Sequence, residues 1–440
     1  MNRRTFLKTT AGTTALLMSR PLRGAGQSPK PLSNEELLAQ AKARIEQHRK
    51  SNGLVTVRNA AGQAVAGASV TVEQVRHEFL FGCNFFRFGR IKDPQREEDY
   101  RRRYAALLNY ATLGFYWAGY EPVRGKPMYD YTDSAINWCR EHGITCKGHP
   151  LAWDHPAGSP RWLPTDPAEI ERLSTARVRD IVSRFKGRID LWDVVNEPTD
   201  LTRFKNPLNT WANQLGAVPF TRRHLQVARE ANPNATLLVN DYRTDPAFAK
   251  ILEGLRENGK LPFDTIGIQS HMHGGGWPLP RIWEICDRYA KFGLPVHFTE
   301  TTIVSGPRLS PGENWGATTP EGEAKQADYV PQFYTMLFAH PAVQALTWWD
   351  FADDGAWQGA AAGWLRKDMS PKPVYERLLA LIKGEWWTKA AGRTNAQGEL
   401  ALRAYHGTHR VSVELPGGRK AAKEVSWERN QPNRFIIEAT

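Results

Sequence analysis

The sequence predicts an α/β fold, a (β/α)8 TIM barrel with a small accessory β-sandwich built from N- and C-terminal strands, and three observations predict it. Short apolar, β-rich runs alternate with longer helical stretches eight times along the middle of the chain, the pattern of parallel strands joined by crossover helices. The chain has 440 residues, too many for an ordinary domain but suited to one barrel of about 250 to 320 residues with additions. Further short strands separated by Gly turns stand at both ends, and neither end makes a stable sheet alone.

Residues 1–26 read as an address. Arg3-Arg4-Thr5-Phe6-Leu7-Lys8, the mildly apolar Thr9–Ser19 and the small residues Gly24-Ala25-Gly26 form a twin-arginine export pattern. The expected location is periplasmic or extracellular, and the apolar stretch is too short to span a membrane. A basic disordered terminus is the plainer alternative. Residues 27–52 hold a helix: Ser33-Asn34-Glu35-Glu36 has capping-box spacing, and Leu37, Leu38, Ala41 and Ile45 share a face over about residues 34 to 50.

Residues 53–76 supply the first half of the sandwich, with strands Leu54–Arg58 and Ala68–Val72 around the turn Ala61-Gly62-Gln63. Residues 386–440 supply the second half, with Gly398–Leu402, Val411–Leu415 and Phe435–Ile437. The stretch 54–72 resembles the start of a transthyretin-like or carboxypeptidase-regulatory-like repeat and 394–415 its continuation, so one sandwich split by the barrel is expected. Two separate caps are the alternative.

The barrel is expected over residues 77–385. Its strands are Leu80–Asn84, Thr112–Trp117, Thr145–Leu151, Leu191–Val195, Thr236–Asn240, Thr265–Gln269, Pro295–Thr299 and Ala345–Trp349. An open doubly wound sheet is the alternative, but no glycine-rich phosphate loop follows any run.

Composition narrows the function. With 41% hydrophobic and 24% charged residues the chain is neither disordered nor membrane-embedded. The net charge of +12 is spread out, apart from Arg101-Arg102-Arg103 on a helix surface, so no nucleic-acid partner is expected; no membrane partner is expected either, and the protein is expected to be a monomer. Sixteen Trp residues suit either core filling or the flat platforms that bind sugar rings. Cys83, Cys139, Cys146 and Cys286 lack metal-site spacing and disulfide-scaffold density, and read as buried thiols. A Cys139–Cys146 bridge stays open.

Barrel active sites form at the carboxyl ends of the strands, and six runs end in polar groups: Gly148-His149, Asn196-Glu197, Asn240-Asp241, Gln269-Ser270-His271, Thr299-Glu300 and Trp349-Asp350. Glu197 and Glu300, each at a strand end, form the pair that glycosidic cleavage needs. One carboxyl protonates the leaving oxygen while the other meets the developing oxocarbenium carbon. A partly apolar wall such as Trp192, with the negative Glu300 nearby, is expected to hold the proton on Glu197.

Residues from about 79 to 384 resemble glycoside hydrolase family 10, the retaining endo-xylanase family. The resemblance rests on Trp192-Asp193-Val194-Val195-Asn196-Glu197, Phe298-Thr299-Glu300, Trp117 with Glu121-Pro122, Gly148-His149 to Trp153, Gln269-Ser270-His271, Trp349, Trp357 and Pro371–Tyr375. It implies Glu197 as acid/base, Glu300 as nucleophile, and substrate binding by His149, Trp153, Asn196, Gln269, His271, Trp349 and Trp357. It also implies a xylan-like polysaccharide partner, cleavage of β-1,4-xylosidic bonds by double displacement, and no cofactor or metal. Another β-glycoside as substrate, or a barrel that binds polysaccharide without cleaving it, are the alternatives.

Three departures stand out. The family's Glu-Asn-x-x-Lys cluster, which holds the sugar next to the cleaved one, is here Thr112-Leu113-Gly114-Phe115-Tyr116. Phe115 and Tyr116 are candidates for an aromatic surface in its place, and weak action on plain linear xylan is expected. The Asp that steadies the histidine, two positions after the nucleophile, is Thr302, and Asp154 lengthens the loop after Trp153 by one residue.

Overall fold

The computed structural model describes residues 32–309 and 315–439; the export signal expected over residues 1–26 lies outside them. The strands are β1 (Lys50–Asn59), β2 (Ser69–His77), β3 (Leu80–Asn84), β4 (Tyr110–Gly114), β5 (Thr145–His149), β6 (Leu191–Asn196), β7 (Thr236–Asp241), β8 (Thr265–Ile268), β9 (Val296–Thr301), β10 (Val343–Trp348), β11 (Lys389–Arg393), β12 (Glu399–Tyr405), β13 (Gly407–Glu414), β14 (Lys420–Trp427) and β15 (Asn433–Ala439). The eight strands β3 to β10 close into a barrel in chain order, β10 pairing in parallel with β3. Because both faces are covered, by the barrel interior and by helices, nearly every barrel-strand residue is buried.

Helix boundaries follow local chemistry. Ser33 caps the helix Asn34–His48 in a reciprocal capping box with Glu36. Asp93, Asp166 and Asp245 each accept a backbone N–H at the start of a helix whose first turn carries Pro. On Pro94–Leu107, Arg101, Arg102 and Arg103 pair with Glu97 and Asp99, a self-neutralised face. No helix of the described residues is long and apolar enough to cross a membrane. All four cysteines are buried and unbridged, including Cys139 and Cys146.

The strands outside the barrel form two sheets, β12-β1-β15 and β11-β2-β13-β14. Val55, Val57, Val70, Val72, Val411, Val413 and Ile437 pack between them while their alternating neighbours face out. The two chain ends therefore share one sandwich. Arg49 joins it to the barrel. Its buried guanidinium donates to the carbonyls of Phe338 at 2.5 Å, His340 at 2.7 Å and Val343 at 2.7 Å. Those carbonyls lie at the end of the helix Pro320–Ala339 and the start of β10, the end of the barrel away from the strand carboxyl ends.

The boundaries differ from expectation in two instructive places. The second barrel strand is Tyr110–Gly114 rather than Thr112–Trp117, since Trp117 starts a short helix, Trp117–Tyr120. Strands β11 and β14 gave no strand signal, and both are edges of the four-stranded sheet, where Lys and Ala replace the β-branched residues of paired strands.

Candidate active site

The carboxyl ends of the barrel strands surround a cleft of about 590 Å³. All nine predicted site residues line it: Glu197, Glu300, His149, Trp153, Asn196, Gln269, His271, Trp349 and Trp357. Glu197 follows β6 directly and adopts φ 55°, a conformation uncommon for a residue with a Cβ, while its N–H donates to Asn240 O at 2.8 Å. Strained backbone of this kind is retained where surrounding structure dictates it. Glu300 lies within β9 and is 4% exposed; Glu197 is 8% exposed.

Side-chain amides connect the two carboxyl groups. Gln269 Nε2 donates to Glu197 Oε1 at 3.0 Å and lies 3.2 Å from Asn196 Oδ1. Asn240 Nδ2 donates to Asn196 Oδ1 at 2.8 Å and to Glu300 Oε1 at 2.7 Å. Since Asn196 Oδ1 is used on both sides as an acceptor, its own amide hydrogens stay available to the cleft. On the other carboxylate oxygen, His271 Nε2 lies 3.2 Å from Glu300 Oε2.

Below this layer, Asp193 Oδ2 accepts from Lys147 Nζ at 2.6 Å and from His149 Nδ1 at 2.7 Å, with Lys147 and Asp193 fully buried. The carboxylate thereby orients the His149 ring, whose Nε2 lies 3.1 Å from Tyr116 OH and 3.8 Å from Glu300 Oε1.

These surroundings drive the two glutamates apart. Burial pushes Glu197 up to about 7, helped by the negative Glu300 and Asp241 and opposed by the Gln269 hydrogen bond and by Arg203. Burial would also raise Glu300, but His149, the hydrogen bond from His271 and the charge of Lys147 outweigh it and hold this carboxyl below its ordinary value. Opposite shifts on two carboxyls in one cleft separate an acid from a carboxylate at neutral pH.

Several expectations need correction. Trp192 is no wall for Glu197: its fully buried ring lies over Gly148 and against Phe115, in the layer between barrel and helices. Phe115 is likewise core, packed on Tyr120 and Phe185, and only Tyr116 of the rebuilt segment reaches the cleft. Thr302 does stand behind the histidine, with Oγ1 at 3.4 Å from His271 Nδ1 and 3.3 Å from His273 Nδ1. The extra Asp154 turns away from the cleft to accept from Asn209 Nδ2 at 2.6 Å, and burial pushes its carboxyl up to about 6. That anchor holds the loop in which Trp153 and His155 stack at 4.1 Å.

Sequence reasoning missed Asn240, Lys147, Asp193, Arg203 and Asp350 as site components. Asn240 and Asp350 were visible as strand-end polar residues without an assigned task. Lys147 in a barrel strand was the available signal for a buried ion pair, because a strand covered on both faces has no exposed side for it.

The family model of glycosyl hydrolase family 10 matches residues 88–381. Among curated relatives, anti-sigma-I factor RsgI6 of Acetivibrio thermocellus is 27% identical over 395 residues, covering 88% of this chain and 48% of that protein. Endo-1,4-beta-xylanase 1 of Arabidopsis thaliana is 25% identical over 431 residues, covering 94% of this chain and 41% of that protein. This chain thus spans less than half the length of either. A solved structure described as GH10 from Paenibacillus barcinonensis superimposes with a TM-score of 0.60 at 23% identity, over 70% of this chain and 96% of that one, a likeness of fold. With a family model matched across the barrel and its cleft, the chain belongs to glycosyl hydrolase family 10.

Proposed function

We propose that the chain is a retaining glycoside hydrolase that cleaves β-1,4-xylosidic bonds in xylan or a related plant polysaccharide. The observation that carries this reading is the opposed state of two glutamates in one cleft, Glu197 pushed up to about 7 and Glu300 held low. Glu300 attacks the anomeric carbon as carboxylate while Glu197 gives its proton to the departing glycosidic oxygen. The glycosyl–Glu300 ester is then opened by water, from which Glu197 takes a proton. His271 and Asn240 hold the attacking carboxylate in line, and the Asn196 amide is available for the sugar 2-hydroxyl, a bond that strengthens as positive charge develops. His149, Gln269, Trp153, Trp349 and Trp357 grip the ring. Family membership and the xylanase among the relatives support xylan as substrate. Another β-glycoside is the second reading, favoured by the Thr112–Tyr116 segment.

Export by the twin-arginine route to the periplasm or beyond, and action as a monomer on a polysaccharide with no nucleic-acid or membrane partner, complete the proposal. The arginine pair at residues 3 and 4 supports the route, and four buried thiols suit a chain folded before export.

Proton NMR of the first-formed product decides the mechanism: a retained anomer is expected, and an inverted one refutes it. Glu300→Ala should abolish turnover, with azide restoring no retained product. Glu197→Ala should slow substrates with poor leaving groups most, because activated aryl groups need little protonation.

A further inference from the structure

Four polar atoms on cleft-lining side chains are shielded from solvent and have no hydrogen-bond partner: Glu197 Oε2, Trp153 Nε1, Arg87 Nε and Asp350 Oδ2. Buried polar atoms in native proteins are nearly always paired, and an orphan costs free energy until something completes it. For Glu197 Oε2 the completing group is the glycosidic oxygen. Arg87 and Asp350 have no part in that chemistry.

Their position indicates what they serve. Asp350 follows β10, four strands around the barrel from β6, and so stands across the mouth from Glu197. The acid/base sits on the leaving-group side, which puts Asp350 on the non-reducing side. The sugar being attacked is bounded by Glu300, His149, His271 and Trp349, whose ring stands edge-on to both histidines at 5.3 and 5.9 Å. Asp350 is the next residue after Trp349 and lines the same cleft. Its Oδ1 accepts from the Trp357 amide at 3.1 Å, and Arg87 reaches the same loop, paired with Asp354 at 2.6 Å. Gly355 leaves room for it: a Cβ there would come within 2.9 Å of the Arg87 side chain.

We infer that Asp350, with Arg87 on the same wall, holds the second sugar on the non-reducing side of the cleaved bond, replacing the charged grip that the Thr112–Tyr116 segment lacks. This rests on the reading of the cleft as a xylan-cleaving site. A sugar hydroxyl both donates and accepts, so an orphan carboxyl oxygen and an orphan guanidinium N–H suit it as a pair. Burial, seconded by Asp353 and opposed by the Trp357 amide and, least, by Asn84, pushes the Asp350 carboxyl up to about 7. Either protonation state serves a hydroxyl.

The test compares kcat/KM for an aryl β-xylobioside with that for the matching aryl β-xyloside, because their ratio isolates what the second sugar contributes. Asp350→Ala should lower the ratio by about tenfold or more, the loss expected when a hydrogen bond to the carboxyl group is removed, with the xylobioside rate falling further than the xyloside rate. A purely structural role would lower both rates together and overturn the inference, as would an unchanged ratio. Thermal unfolding checks the variant. If Asp350→Ala does not fold, Arg87→Gln, on a side chain 30% exposed, carries the same comparison. A wild-type protein inert on both glycosides overturns the functional reading and this inference with it; an active one with an unmoved ratio overturns this inference alone.

Discussion

Asn240 donates to Glu300 Oε1 at 2.7 Å from an amide that also reaches Asn196 Oδ1, so the proposed nucleophile is oriented by the same side chain that orients the residue before the acid/base. Asn240→Ala should lower kcat by roughly ten- to a hundredfold with a smaller change in KM, since the lost bond positions a reacting group rather than the ground-state sugar. Steady-state kinetics on an aryl xylobioside checks it, and a change confined to KM would contradict it.

The pH profile of kcat/KM should fall on the alkaline side through about 7, as Glu197 loses its proton, and on the acid side below the ordinary carboxylate range, as Glu300 gains one. Arg203 Nη1 lies 3.6 Å from Glu197 Oε2, and a nearby cation favours the charged carboxylate. Arg203→Gln should therefore move the alkaline limb upward, by a fraction of a unit because the arginine is half exposed. A limb that stays put or moves down rules Arg203 out.

Lys147 and Asp193 form an ion pair with no exposure on either side. Lys147→Met leaves a buried carboxylate with one partner fewer and should cost about 3 to 5 kcal/mol in urea unfolding. Replacing both, as Lys147→Met with Asp193→Leu, should recover much of that stability while activity stays lost, since His149 then has no carboxylate to fix its ring.

Arg49→Met should cost about 3 kcal/mol or more, because three buried carbonyls lose their donor. It should leave kcat/KM of the folded protein unchanged, as Arg49 sits at the barrel end away from the cleft. A drop in kcat/KM without loss of stability would refute this assignment.

The barrel strands and the glutamate pair were legible because strand periodicity and strand-end polarity are local signals. What local pattern could not give was the third dimension. Trp192 sits five residues before Glu197 yet faces the helices, because successive strand residues point to opposite faces of the sheet. Phe115 and Tyr116 are adjacent just past the end of β4, yet one side chain enters the core and the other the cleft. Lys147 and Asp193 are 46 residues apart, and nothing in either neighbourhood announces the other. β11 and β14 escaped because an edge strand is selected against stickiness and so is poor in the residues that signal a strand.

The parallel pairing of β1 with β15, Gly53 opposite Asn433 through Asn59 opposite Ala439, ties together segments that flank the barrel in the chain. The barrel draws on residues 80–348 and can close while the rest of the chain is still being made. β1 cannot: until residues 433–439 exist, one of its edges stays unpaired beside the valines it must bury. A chain interrupted after the barrel would thus carry a closed barrel beside a strand whose apolar face and hydrogen-bonding edges have no cover.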